Sequence, residues 1–143
     1  MLKNVPKILS PELIKTLCEM GHGDEIVIAD ANFPAETCGK KVIRADGIGG
    51  VEMLAAVLDL IPLDTYSDTN FTLMQLTPSD AGKVNPAIWK EYEETAKRRD
   101  DCVRVGNIER FEFYERAKKA YAVIATGEKA IYANVILKKG VIK

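Results

Sequence analysis

The stretch Glu25-Ile26-Val27-Ile28-Ala29-Asp30 carries four apolar residues between two acids with no polar interruption. Alternation would mark a strand with one wet face, whereas an unbroken branched run marks a strand buried on both faces, with helices above and below it. Just upstream, Ser10-Pro11-Glu12 supplies a capping hydroxyl, a proline at the first helical position and an acid in the first turn. Leu13, Ile14, Leu17 and Met20 then share one face, which predicts a helix over 11–20 with Gly21 as its left-handed stop. His22-Gly23-Asp24 falls in the tight turn between that helix and the strand.

Working outward, Ala31-Asn32-Phe33-Pro34 ends the strand, and Lys41 to Ala45 reads as a second one. Asp46-Gly47-Ile48-Gly49-Gly50 leads into a helix over Val51 to Ile61 closed by Pro62, and Phe71 to Leu76 is a third strand. Asn85-Pro86 is expected to cap a helix reaching about Arg99, with Ile88, Trp89 and Tyr92 on its inner face. Val103-Arg104-Val105 fits a brief strand, and Glu109 to Lys119 a helix with Phe111, Tyr114 and Ala117 inside. Tyr121 to Thr126 and Ala130 to Leu137 are strand-like again. Strands alternating with helices imply an α/β sheet covered by helices.

Composition narrows the function classes. At 143 residues, with 47% hydrophobic and 29% charged residues, the chain is expected to form a single globular domain, residues 1–143. A net charge of −1 gives no field for a polyanion, so nucleic acid is not an expected partner. Val51 to Ile61 is interrupted by Glu52 and Asp59 and is too short to span a bilayer; with no apolar leader at the start, a cytoplasmic, membrane-free location is expected. Cys18, Cys38 and Cys102 are odd in number and never form a CxxC pair. One histidine in the chain rules out a two-histidine zinc site.

That histidine, His22, lies between glycines close to Asp24, and its ordinary pKa of roughly 6.5 suits acid or base work near neutral pH. The alternative is a helix C-terminal histidine that merely meets the dipole. Asp30 closes an apolar strand, where α/β sheets gather ligands, although a turn-forming aspartate would sit there too. Asp46-Gly47-Ile48-Gly49-Gly50 matches neither a P-loop nor the dinucleotide fingerprint and reads as a strand-to-helix turn. Arg110, a cation at a helix start, hints at an external acceptor, though Glu109 or Glu112 would also satisfy it. Tyr132-Ala133-Asn134 puts a phenol and an amide in a segment otherwise suited to burial, so these groups need partners, either protein or ligand. Trp89, Tyr92, Phe111 and Phe113 read as core or subunit-contact aromatics.

Several blocks together carry a resemblance. Pro11-Glu12-Leu13, Gly21-His22-Gly23-Asp24-Glu25, Asp30-Ala31-Asn32-Phe33-Pro34, Asp46-Gly47, Glu109-Arg110-Phe111-Glu112-Phe113-Tyr114, Ala125-Thr126-Gly127-Glu128, Tyr132-Ala133-Asn134 and Leu137-Lys138-Lys139-Gly140 resemble the sugar mutarotase family of ribose pyranases and fucose mutarotases. The similarity runs over nearly the whole chain. It implies a three-layer α/β/α fold around a central mixed sheet and cofactor-free, metal-free interconversion of monosaccharide ring forms and anomers. A ring-shaped homo-oligomer, often a decamer, with sites at subunit contacts is implied as well.

The resemblance maps the proton donor onto His22 and sugar contacts onto Asp30, Arg110, Tyr132, Ala133 and Asn134; Tyr121 is a further candidate. Asp30 is expected to bind a hydroxyl and to orient or charge the imidazole, and Tyr132 to share in proton transfer. The ribose branch tends to carry histidine where this chain has Arg110, which favours the fucose branch and makes L-fucose the expected substrate. Opening a hemiacetal needs one proton removed and another delivered, which a positioned acid/base pair supplies alone. A ribose pyranase, a sugar-binding accessory protein and a plain assembly subunit are the other readings.

Overall fold

A computed structural model describes all of residues 1–143. Helix α1 (Pro11–Glu19) begins where its cap demands: Ser10 Oγ accepts the Leu13 amide at 3.2 Å. Its end differs from expectation. Met20 is already extended, and the left-handed residue is Gly23, at φ +85°, whose amide donates to the Lys139 carbonyl at 2.8 Å. That turn feeds β1 (Glu25–Ala29), followed by a short helix α2 (Ala35–Cys38) that no periodicity announced.

The chain continues through β2 (Val42–Ala45), α3 (Gly50–Leu58), β3 (Phe71–Met74), α4 (Ile88–Lys97), β4 (Val105–Ile108), α5 (Arg110–Lys119), β5 (Ala122–Thr126) and β6 (Val135–Lys138). Helix α4 starts after Ala87 with no side-chain cap, so Asn85 does not cap it. The brief strand expected at 103–105 lies further on. Asn70 explains the shift, because its side chain bonds both the Cys102 carbonyl and the Arg104 amide and so holds that stretch as a loop until Val105 pairs with Phe71. The strand expected over 130–137 is also shorter: Ala130 N bonds to Glu128 Oε1 and Tyr132 turns to φ +61°, so pairing begins only at Val135.

The six strands lie in the order β2-β5-β1-β6-β3-β4. β6 runs antiparallel to both its neighbours, and the others share one direction, which gives the expected mixed sheet. α1, α3 and α4 cover one face, where Leu13, Leu17, Leu54, Val57 and Tyr92 meet Ile26, Ile28, Ile124 and Leu137. α2 and α5 cover the other with Cys38, Phe113 and Ala117 against Val27, Val123 and Ile136. Burying each such side chain contributes roughly 1.5–3 kcal/mol, so an apolar run like that of β1 is stable only between two layers. The second layer is thinner, with 12 core residues against 24, and its helices leave the carboxyl ends of β1 and β3 open.

Candidate functional site

The shared direction of five strands places Asp30, the end of β3 and the start of α5 at one edge of the sheet, where an open α/β sheet binds ligands. A cleft of about 160 Å³ opens there between Asp30, Asn32, Phe33, Met74, Arg110, Tyr114, Ile131, Tyr132 and Asn134. Asp30 is 5% exposed, and burial pushes its carboxyl above the ordinary aspartate value, against hydrogen bonds that pull it down. Asn134 clasps it at both ends: its Oδ1 accepts the Asp30 amide at 2.8 Å and its Nδ2 donates to Asp30 Oδ2 at 2.9 Å. The Asn32 amide donates to Asp30 Oδ1 at 2.9 Å. The carboxylate is thus pinned, as a group that must hold a hydroxyl in one direction has to be.

Arg110 faces the same cleft from the first position of α5. Glu109 takes the helix cap, accepting the Phe111 amide at 2.8 Å and the Glu112 amide at 3.2 Å, so neither the dipole nor that acid answers the guanidinium. Its Nε is buried without a hydrogen-bond partner. The guanidinium lies 4.6 Å from the Phe111 ring centroid. An orphaned buried donor is costly, on the order of 1–3 kcal/mol, and marks a place for an incoming acceptor.

The helix face at this point is turned from that expected. Phe113 and Ala117 are buried, Phe111 is 61% exposed, and Tyr114 lines the cleft, stacked edge-on against Phe33 at 5.5 Å. Burial raises the Tyr114 phenol's pKa. Trp89 and Tyr92, read as core or contact aromatics, reach across from α4: Trp89 Nε1 donates to the Tyr132 carbonyl at 2.8 Å and Tyr92 Oη to the Ala133 carbonyl at 3.1 Å. Both hold the segment that carries Asn134. Tyr92 is admitted by Gly50, where a Cβ would stand 1.9 Å from its hydroxyl. The Gly50 amide is itself taken by Glu128 Oε2 at 3.0 Å, so the turn from Asp46 to Gly50 is satisfied within the protein.

His22 is not in this cleft. It precedes β1 and Asp30 follows it, so at about 3.3 Å per residue the two stand at opposite edges, on the order of 20 Å apart. Asp30 therefore does not orient the imidazole within one chain. Asp64 does: its Oδ1 lies 2.9 Å from His22 Nε2. Asp64 is 1% exposed and accepts the Ser67 hydroxyl at 2.5 Å and the Tyr66 amide at 3.1 Å. Chiefly through the Ser67 hydroxyl, and through His22 and Tyr66, its carboxyl is held well below the usual range despite desolvation. An ionised carboxylate only accepts, so Nε2 carries the hydrogen and Nδ1 is left for proton exchange. Asp24 instead accepts the Gly21 amide at 2.7 Å. Tyr121 belongs to this second edge too, its hydroxyl donating to Glu19 Oε2 at 3.0 Å.

A larger cleft, about 520 Å³, lies between the N-terminal segment and α1 and is lined mainly by Met1, Leu2, Val5, Leu9 and Ile14. Its charged lining residues are Lys7 and Lys15, with no acid beside them. No cluster of three metal-ligating side chains exists, and no helix is long and apolar enough to cross a membrane.

Known proteins are similar to this chain in sequence and fold. The RbsD / FucU transport protein family model matches residues 3–142. A fucose mutarotase of Homo sapiens is 57% identical over 146 residues, covering 99% of this chain and 94% of the human protein. An L-fucose mutarotase of Actinobacillus pleuropneumoniae is 46% identical, with 99% and 97% covered. The crystal structure of a fucose mutarotase from Streptococcus pneumoniae in complex with L-fucose superposes with a TM-score of 0.93 at 48% identity, over 99% of this chain and 100% of that one. Bacillus subtilis RbsD complexed with D-ribose matches at TM-score 0.74 and 26% identity, with all of both chains covered.

Proposed function

The chain belongs to the RbsD/FucU family, and on that premise we propose how its two sheet edges carry out the reaction. It is an isomerase acting on carbohydrate: a fucose mutarotase that interconverts the α and β anomers of L-fucose. The observation that carries the placement of the sugar is the pairing, in one cleft, of a pinned buried carboxylate with an unpartnered guanidinium nitrogen. Such a pair offers an acceptor to one sugar hydroxyl and a donor to another oxygen.

Asp30 and Asn134 hold hydroxyls, Arg110 donates to a ring or hydroxyl oxygen, Tyr132 forms part of the wall, and Ala133, buried beside it, is fixed through its carbonyl by Tyr92. His22 moves the proton. The anomeric O–H loses its hydrogen as C1=O forms, the bond from C1 to the ring oxygen breaks, and that oxygen receives a proton. Rotation about C1–C2 and the reverse steps close the other anomer, and the open chain equally gives furanose forms. Nothing is consumed, so acid/base transfer suffices.

Because His22 and the cleft occupy opposite edges, a neighbouring copy supplies the imidazole. Head-to-tail contacts of this kind are heterologous and close into rings. Exposed apolar groups support that packing at both edges: Tyr66, 68% exposed, lies 5.3 Å from the His22 ring, while Ile131 lines the cleft and the exposed Phe111 packs beside Arg110 and Tyr114. The decameric ring implied by the resemblance is the assembly to look for by gel filtration with light scattering. Three free thiols support a cytoplasmic setting.

The test is exchange between L-fucose anomers followed by saturation-transfer NMR. His22→Ala is expected to cut the protein-dependent rate about 10²- to 10⁴-fold. An unchanged rate at equal protein concentration overturns the assignment, and no protein-dependent rate at any pH would reduce the chain to a binding module.

A further inference from the structure

We infer that Asp80, in the loop between β3 and α4, is a positioning residue of the sugar cleft that acts through Tyr132. The inference rests on reading that cleft as the L-fucose site. Tyr132 is one of only two non-glycine residues with positive φ, a conformation that persists only where the surroundings impose it. Its carbonyl is fixed by Trp89 Nε1 at 2.8 Å, and its phenol donates to Asp80 Oδ2 at 2.5 Å.

The direction of the remaining bonds follows. With the phenol hydrogen spent on a carboxylate, the Thr77 hydroxyl at 3.1 Å must donate to the phenol oxygen, as does the Thr77 amide at 3.4 Å. The Thr77 hydroxyl then accepts from Ser79 Oγ at 3.0 Å, so hydrogens run in one sense from Ser79 through Thr77 and Tyr132 to Asp80. No hydrogen-bonding position of the phenol is left for sugar. What Tyr132 gives the cleft is its ring face and the setting of the backbone that places Asn134, and through Asn134 the carboxylate of Asp30. Asp80 thereby governs how well the sugar is held, while the proton-transfer group stands at the other edge.

The experiment compares Asp80→Ala, Asp80→Asn, Tyr132→Phe and the Asp80→Ala/Tyr132→Phe pair, with L-fucose anomer exchange measured against sugar concentration. Losing a hydrogen bond to a charged group predicts that KM rises about tenfold in Asp80→Ala and in Tyr132→Phe, with kcat near that of the parent. Asp80→Asn keeps an oxygen that accepts the phenol hydrogen and restores KM, and the double variant is no worse than either single one. An unchanged KM in Asp80→Ala, additive effects in the double variant, or a fall confined to kcat overturns the positioning role. If Asp80→Ala fails to fold, Tyr132→Phe and Asp80→Asn read the same contact. Arg110→Ala measured alongside separates the two levels: a raised KM there with unchanged KM in Asp80→Ala overturns this inference alone, and an unchanged KM in Arg110→Ala overturns the site reading beneath it.

Discussion

His22 and Asp64, 42 positions apart, form a pair of unequal members: the imidazole is 47% exposed and the carboxylate 2%. The buried partner is anchored by Ser67 and Tyr66, so the ring is held through Nε2, leaving Nδ1 without a hydrogen-bond partner in the protein. Asp64→Ala should therefore lower anomer exchange about 10²-fold, the cost of a reacting group misplaced by roughly 1 Å, with little change in KM. Saturation-transfer NMR across sugar concentrations checks both parts.

Acid stability provides an independent reading of Asp64. Its folded pKa lies below the ordinary 3.8, so its contribution is fully present above 3.8 and is lost as pH falls through that value toward the folded one. Asp30 has the opposite sign, since burial raises its carboxyl and its cost is relieved as pH falls. Subtracting urea unfolding free energies of Asp64→Asn from those of the parent isolates the first effect. The difference should be constant near neutral pH and shrink below 3.8.

Mixing tests the division of labour between edges. A His22→Ala chain keeps an intact cleft, and an Arg110→Ala chain keeps an intact imidazole. Each alone should be nearly inactive, and unfolding and refolding them together should restore a fraction of the exchange rate. Sites confined to one chain would give no recovery.

Arg110→Lys should behave as a loss rather than a conservative change, because a lysine has no planar fork and no Nε at that depth. Binding of L-fucose, followed by calorimetry, should weaken by about 1.5–3 kcal/mol, the range for a hydrogen bond involving a charged group. The melting temperature should hold or rise, since an unsatisfied buried donor is removed.

Local chemistry was legible from the residues alone, and long-range pairing was not. Ser10-Pro11-Glu12 and the run ending at Asp30 declare their elements because cap and burial pattern act within a few residues. Asp30, Arg110, Tyr132 and Asn134 line one cleft, with Ala133 buried between the last two. Asp64 carries no spacing signal toward His22, and only the path after α3 brings them together. The phase of α5 misled because Phe111 and Tyr114 are aromatic like Phe113, and periodicity does not tell a cleft-lining aromatic from a core one. Tyr132 inside a strand-like run looked pairable, although its carbonyl is taken by Trp89 and its phenol donates to Asp80, both far away in the chain, while its backbone turns to positive φ.

The place of β6 has a consequence for how the chain acquires its shape. β2, β5 and β1 form one ribbon and β3 and β4 another, and β6 alone joins them, though it follows every other strand in order of synthesis. Until it inserts, two half-sheets expose unpaired edges, which are the groups that recruit foreign strands. Shortening the chain before Val135 would leave two fragments of a sheet rather than a trimmed one, so the sheet cannot close without its last strand.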